Sequence, residues 1–169
     1  MTLEEKVIFG GFMQFDENET LARIYVTEDE IPVNISVGND SDTDLKNGEE
    51  CTAFFWSDDY EVSVFPSESD YEQLGTHMDT ISMIPAGTFP ADPGREDFKQ
   101  NALILFTGIV KEVEGNPAPK EGDPLWRLRI ETYGLSFDLY RYEDEPVAPG
   151  YIVHGQVWLY GVLKKTVGK

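Results

Sequence analysis

Cysteine is nearly missing from this chain, and positive charge is scarce. Cys51 is the single cysteine among 169 residues, so no disulfide can form within the chain and no thiolate cluster can hold a metal. Lysine and arginine number 13 against 32 aspartate and glutamate, a formal net charge of -19. A field of that sign repels polyanions, which argues against nucleic acid as a ligand. His77 and His154 are the only histidines, which leaves few groups able to move a proton or ligate a metal near neutral pH. No apolar run approaches the roughly 20 residues that a membrane helix needs. The opening Met1-Thr2-Leu3-Glu4-Glu5-Lys6 lacks the basic start and apolar stretch of a secretory leader. A soluble, cytoplasmic protein with no membrane contact is therefore expected. Also missing are a nucleophile elbow, a phosphate-binding loop, paired zinc histidines and a dinucleotide fingerprint. No cofactor and no metal are expected, and the chain reads as a non-enzyme, although a catalytic group assembled from distant residues would leave no local mark.

What the chain does have is alternation. Apolar and charged residues take turns in Trp126-Arg127-Leu128-Arg129-Ile130-Glu131 and again in Leu135-Ser136-Phe137-Asp138-Leu139, the period of a half-buried strand. After the acidic break Glu143-Asp144-Glu145, the Pro149-Gly150 turn leads into Tyr151 to Tyr160 as a further strand. Upstream, Val7 to Phe15 reads as a strand bent at Gly10-Gly11, followed by Leu21 to Val26, Cys51 to Trp56 and Tyr60 to Phe65. Strict alternation of Ile31, Val33, Ile35 and Val37 predicts one buried face, with Asn34 and Ser36 turned outward. Ser69 and Glu72 have capping-box spacing and predict a helical turn there, with a second over Arg95 to Gln100. The fold class expected is all-β with one or two short helical turns.

The strands fall into two similar sets. Gly48 stands eight residues before Trp56, and Gly150 eight before Trp158. The elements ahead of each pair correspond in order, Leu21 to Val26 with Trp126 to Glu131 and Ile31 to Val37 with Leu135 to Arg141. Two readings remain open, a true repeat or chance likeness between short strands. The expected organisation is an acidic β-module over 1–66, a connecting segment over 67–100 and a second β-module over 101–169. Ile81, Met83, Ile84 and Phe89 give the Pro- and Gly-rich part of the connection an apolar character, so it should pack on a barrel surface or in the seam between modules. The run Ala102 to Val113, with Gly108 inside it, suits a first strand that coils around a small closed sheet. A long coiled strand, a hairpin pair, an acidic connection and a strand led by Pro-Gly resemble, in element order, an OB-type five-stranded barrel.

Charge directs the functional expectation. Residues 1–70 carry 18 acidic and 3 basic side chains, a net of -15, and the remainder carries 14 and 10, a net of -4. The leading reading is a non-enzymatic binding protein whose acidic N-terminal half engages a basic protein partner, as an inhibitor or immunity-type protein would. Asp40, Asp42, Asp44, Asp58, Asp59 and Glu61, flanking Trp56, are the partner-binding candidates. Carboxylates alternate in Asp40 to Glu50 as at the start of a calcium loop, but Leu45 stands where such a loop needs glycine and Cys51 where it needs glutamate. A solvated acidic turn is expected instead. The alternative function is a small-molecule or carbohydrate-binding protein, with possible hydrolysis, that uses Tyr140, His154 and Trp158.

Overall fold

In the computed structural model, which describes residues 5–26, 30–59, 61–73, 81–89 and 98–166, the alternating segments are strands. In chain order they are β1 (Glu5–Gln14), β2 (Thr20–Val26), β3 (Ile31–Val37), β4 (Glu50–Asp58), β5 (Glu61–Phe65), β6 (Ser82–Ile84), β7 (Leu103–Gly115), β8 (Trp126–Thr132), β9 (Leu135–Arg141), β10 (Ile152–Trp158) and β11 (Tyr160–Lys165), with the short helix α1 (Glu68–Glu72) between β5 and β6. The fold is all-β. Among the described residues no helix is long and apolar enough to cross a membrane.

The chain forms two compact units, and neither is a contiguous half. One comprises Met1–Phe55, Pro85–Ile104 and Trp158–Lys169, and the other Trp56–Ile84 and Leu105–Val157. In the first unit the neighbour order is β1, β2, β3, β11, β4, and β4 returns to β1 with Glu5 opposite Ala53 and Ile8 opposite Glu50. That return closes a five-stranded barrel, which leaves no unpaired sheet edge. β2 is antiparallel to both β1 and β3, whereas β11 joins β3 in parallel, Tyr160 opposite Ser36. Phe9, Ala22, Ile24, Val33, Ile35, Phe55 and Leu163 fill the interior, each at most 1% exposed. Burying each of the larger ones contributes roughly 1.5–3 kcal/mol.

The second unit runs β4, β9, β8, β7, β10, β5 in neighbour order. β7, β8 and β9 form an antiparallel meander. β9 then takes a parallel partner, the end of β4, with Trp56 opposite Asp138 and Asp58 opposite Tyr140. On the other side of the meander β10 lies next to β7 and pairs with β5, His154 opposite Ser63. Residues 56–65 thus serve both edges of this sheet. Phe106 and Phe137 meet edge to face at 5.2 Å in its core, an arrangement that aromatic quadrupoles favour.

Each unit therefore takes one strand from the far part of the sequence. β11 directly follows β10 yet completes the first barrel, and β5 directly follows β4 yet pairs in the second. The boundaries read at 66 and 100 describe contiguous modules, whereas the observed units interleave. Gly48 and Gly150 precede β4 and β10, and Trp56 and Trp158 lie within them; β4 pairs with β1, and β10 lies next to β7.

Two local expectations need correction. Asn34 and Ser36 are 2% and 4% exposed, so β3 is covered on both faces. Its polar side is satisfied rather than solvated. Asn34 Nδ2 donates to Gln100 Oε1 at 2.7 Å and to the Asn101 carbonyl at 3.1 Å, and Asn34 Oδ1 accepts from Arg23 Nε at 2.8 Å. The helix cap is Ser67, whose Oγ accepts from the Asp70 backbone N–H, two residues ahead of the Ser69–Glu72 spacing. Of the turn expected over Arg95–Gln100, residues 95–97 lie outside the described residues and residues 98–100 are irregular rather than helical.

Candidate functional sites

The loop after β3 carries Asp40, Asp42 and Asp44, and its carboxylates are partly matched from within the first unit. The Asp42 N–H donates to the Leu163 carbonyl at 2.9 Å, and Asp42 Oδ2 accepts from the Lys165 backbone N–H at 2.7 Å. Asp44 Oδ2 lies 2.7 Å from Lys165 Nζ, and that hydrogen bond holds the Asp44 carboxyl below its ordinary value. Both partners are exposed, so the pair adds little stability. Asp40 stays exposed. Among the described residues no group of three or more His, Cys, Asp or Glu is arranged to hold a metal.

Trp56, Asp58, Asp59 and Glu61 belong to the second unit, where the chain passes from β4 into β5. The parallel pairing of β4 with β9 brings this corner against the end of β9. Arg141 Nη1 bonds Asp59 Oδ2 at 2.9 Å, and Arg141 Nη2 reaches Glu143 Oε2 at 3.1 Å and Glu145 Oε2 at 3.5 Å. The Tyr142 hydroxyl donates to Asp58 Oδ1 at 2.9 Å. Arg141 is buried while Glu143 and Glu145 keep more than two thirds of their side-chain surface. One covered guanidinium thus holds one covered carboxylate, Asp59, and two open ones, Glu143 and Glu145, which in sequence follow Tyr142, itself 44% exposed. Glu61 is exposed on β5.

The alternative ligand residues occupy separate settings. Trp158 lies in the first unit, where its Nε1–H donates to Glu19 Oε2 at 2.9 Å and its ring meets Phe15 at 5.2 Å. Ser36 Oγ donates to the same Glu19 oxygen. His154 lies in the second unit, half-buried, with Nδ1 2.8 Å from Thr107 Oγ1, which in turn lies 2.9 Å from the Tyr71 hydroxyl. Burial lowers the His154 imidazole below its ordinary value. Tyr140 stands beside Arg127 and Glu114 in a cleft of the same unit, and burial, with Asp138 adding to it, raises its phenol. Asp138 on β9 accepts from both Arg127 Nη1 at 3.0 Å and Arg129 Nη1 at 3.3 Å. His77 lies outside the described residues.

No family model, curated protein or solved structure matches this chain.

In sequence Arg141 and Tyr142 are among several strand-borne basic and aromatic residues, with nothing that joins them to Glu143 and Glu145. Glu143-Asp144-Glu145 reads there as a polar break, and nothing local connects it to Asp59, 82 residues before Arg141. Cys51 is fully buried, and burial together with Glu49 and Glu50 pushes its thiol up to about 11. That makes it a packing residue rather than a nucleophile.

Proposed function

We propose that the chain is a non-enzymatic cytoplasmic binding protein that engages a basic protein partner, in the manner of an inhibitor or immunity-type protein. The observation that carries this reading is the group formed by Asp58, Asp59, Glu143 and Glu145 about Arg141 and Tyr142. The N-terminal part of the chain supplies Asp58 and Asp59 to this group, with Glu61 following on β5. Three physical features suit the role. A net charge of -19 steers a cationic surface toward the chain. An exposed tyrosine amid hydrogen-bond acceptors is the kind of amphipathic side chain that anchors interfaces. Buried Arg141 restrains the carboxylates before binding, which lowers the ordering cost of association.

The test uses a panel of basic nucleases as probes. One or more should bind, and Glu143→Lys and Asp58→Lys should each weaken binding by roughly tenfold or more, as close charge pairs at interfaces do. Binding that both reversals leave unchanged, or no binding across the panel, contradicts the proposal.

A further inference from the structure

The bulge in β1 has an effect at one end of the first barrel. Pairing passes from Phe9 opposite Ile24 to Phe12 opposite Ala22, so three steps on β1 match two on β2, and Gly11 between them takes a φ of +114°. Directly opposite residues of an antiparallel pair share a face. Ile24 and Ala22 both point into the barrel, 0% exposed. Phe12 is thereby returned to the inward face, where unbroken alternation from Phe9 would have turned it out. Its ring meets that of buried Phe9 at 4.7 Å, tilted by 59°, and remains 39% exposed. Thr20 and Val37 are two residues beyond Ala22 and Ile35 on the same inward face. Phe12, Thr20 and Val37 therefore ring the mouth of the barrel.

The turn after β1 and the loop after β3 wall this mouth with Asn18, Asn39 and Asp42, enclosing a cleft of about 320 Å³. That is the lower end of the range for small-molecule sites, about 300–1,000 Å³, and barrel mouths are a common place for them. Asn18 and Asn39 are exposed, and their side chains make no hydrogen bond to the other described residues. Asp42 is different: its backbone N–H donates to the Leu163 carbonyl, its Oδ2 accepts from the Lys165 N–H, and its Oδ1 lies 3.9 Å from Lys164 Nζ. These contacts hold the carboxylate in position.

We propose that this mouth binds a neutral sugar of monosaccharide size. The exposed part of the Phe12 ring suits the C–H face of a pyranose ring, and two side-chain amides with a carboxylate held by the Lys165 N–H suit neighbouring hydroxyls. An anion is disfavoured, since no lysine or arginine lines the cleft and the overall field opposes it. A wholly apolar ligand would strip water from the amides without replacing their hydrogen bonds. This site lies in the first unit, so the proposal goes beyond the protein-binding reading and stands or falls without it.

The experiment is saturation-transfer NMR on the full chain with the methyl glycosides of glucose, galactose, mannose and N-acetylglucosamine, and with choline as a cationic control. At least one glycoside should receive saturation, strongest at its ring C–H protons. Phe12→Ala and Asn39→Ala should each weaken its binding by roughly tenfold, whereas Tyr142→Ala should leave it unchanged. Asn39 is exposed and unbonded among the described residues, so its variant keeps the test valid if Phe12→Ala misfolds. Absence of transfer to all four glycosides, transfer to choline alone, or binding that survives Asn39→Ala undiminished overturns the proposal.

Discussion

Asp59 and Arg141, 82 residues apart in sequence, form an ion pair at 2.9 Å with both side chains more than nine-tenths buried. Burial pushes the Asp59 carboxyl above its ordinary value. Arg141 pulls it back in part, and Glu143 adds to the rise. In Arg141→Ala the carboxylate stays covered without its partner, a change that costs roughly 3–5 kcal/mol. An acid with a raised value in the folded state opposes folding once ionised. The penalty is therefore complete at neutral pH and is relieved as pH falls through the raised value. Denaturant unfolding of Arg141→Ala at neutral and mildly acidic pH should show a larger loss at neutral pH, and an equal loss at both would contradict this account.

The exchange of strands has a direct consequence for truncation. Without β11 the first barrel loses the strand between β3 and β4, together with Leu159 and Leu163, both fully buried. Residues 1–66 or 1–100 expressed alone should not give a native-like circular dichroism spectrum or cooperative melting. Residues 1–100 and 101–169 mixed in equal amounts should recover both. Independent folding of residues 1–66 would refute the interleaved arrangement.

Gly155 on β10 sits against β5 so closely that a Cβ there would lie 2.1 Å from the Glu61 carbonyl oxygen and 2.7 Å from Val62 Cα. Alanine normally gains about 0.5–1 kcal/mol over glycine within a strand through backbone entropy. Here the contact is with backbone that must move, so Gly155→Ala should destabilise, by roughly 1–3 kcal/mol. A melting temperature at or above that of the parent chain would show that β5 does not pack on β10 in this way.

His154 ties β10 to Thr107 and, through it, to Tyr71 on α1. Burial lowers its value from the ordinary 6.5, so the folded state favours the neutral ring. The unfolded chain binds the proton first, and this contribution to stability is lost as pH falls below about 6.5 toward the lower folded value. Comparing the pH dependence of melting for the parent and His154→Gln isolates the effect from the titration of carboxylates. The parent should lose more stability on mild acidification than the variant, and parallel curves would exclude a role for His154.

Much of the fold can be read in the residues, because a period of two survives wherever one face is buried. Trp126 to Glu131 and Leu135 to Leu139 announce β8 and β9, and Gly10-Gly11 announces the β1 bulge. Which unit receives β5 and β11 is not legible there, since alternation records that a strand has a buried face but not which edge it joins. The burial of Asn34 fails for a related reason. Its cover comes from Gln100 and Asn101, and a polar residue matched by hydrogen bonds looks the same in sequence as one facing water. The acidic character of the candidate surface follows from composition. Its organisation about Arg141 does not, because that depends on the parallel pairing of β4 with β9.

The central claim, a charged surface that recruits a basic partner, is tested most directly by the association rate of the bound nuclease as ionic strength rises from low to physiological. Over that range the screening length contracts from about 30 Å to about 8 Å. The account predicts that the association rate falls steeply while the dissociation rate changes little, and that Glu143→Lys flattens the dependence. An association rate insensitive to salt would contradict it.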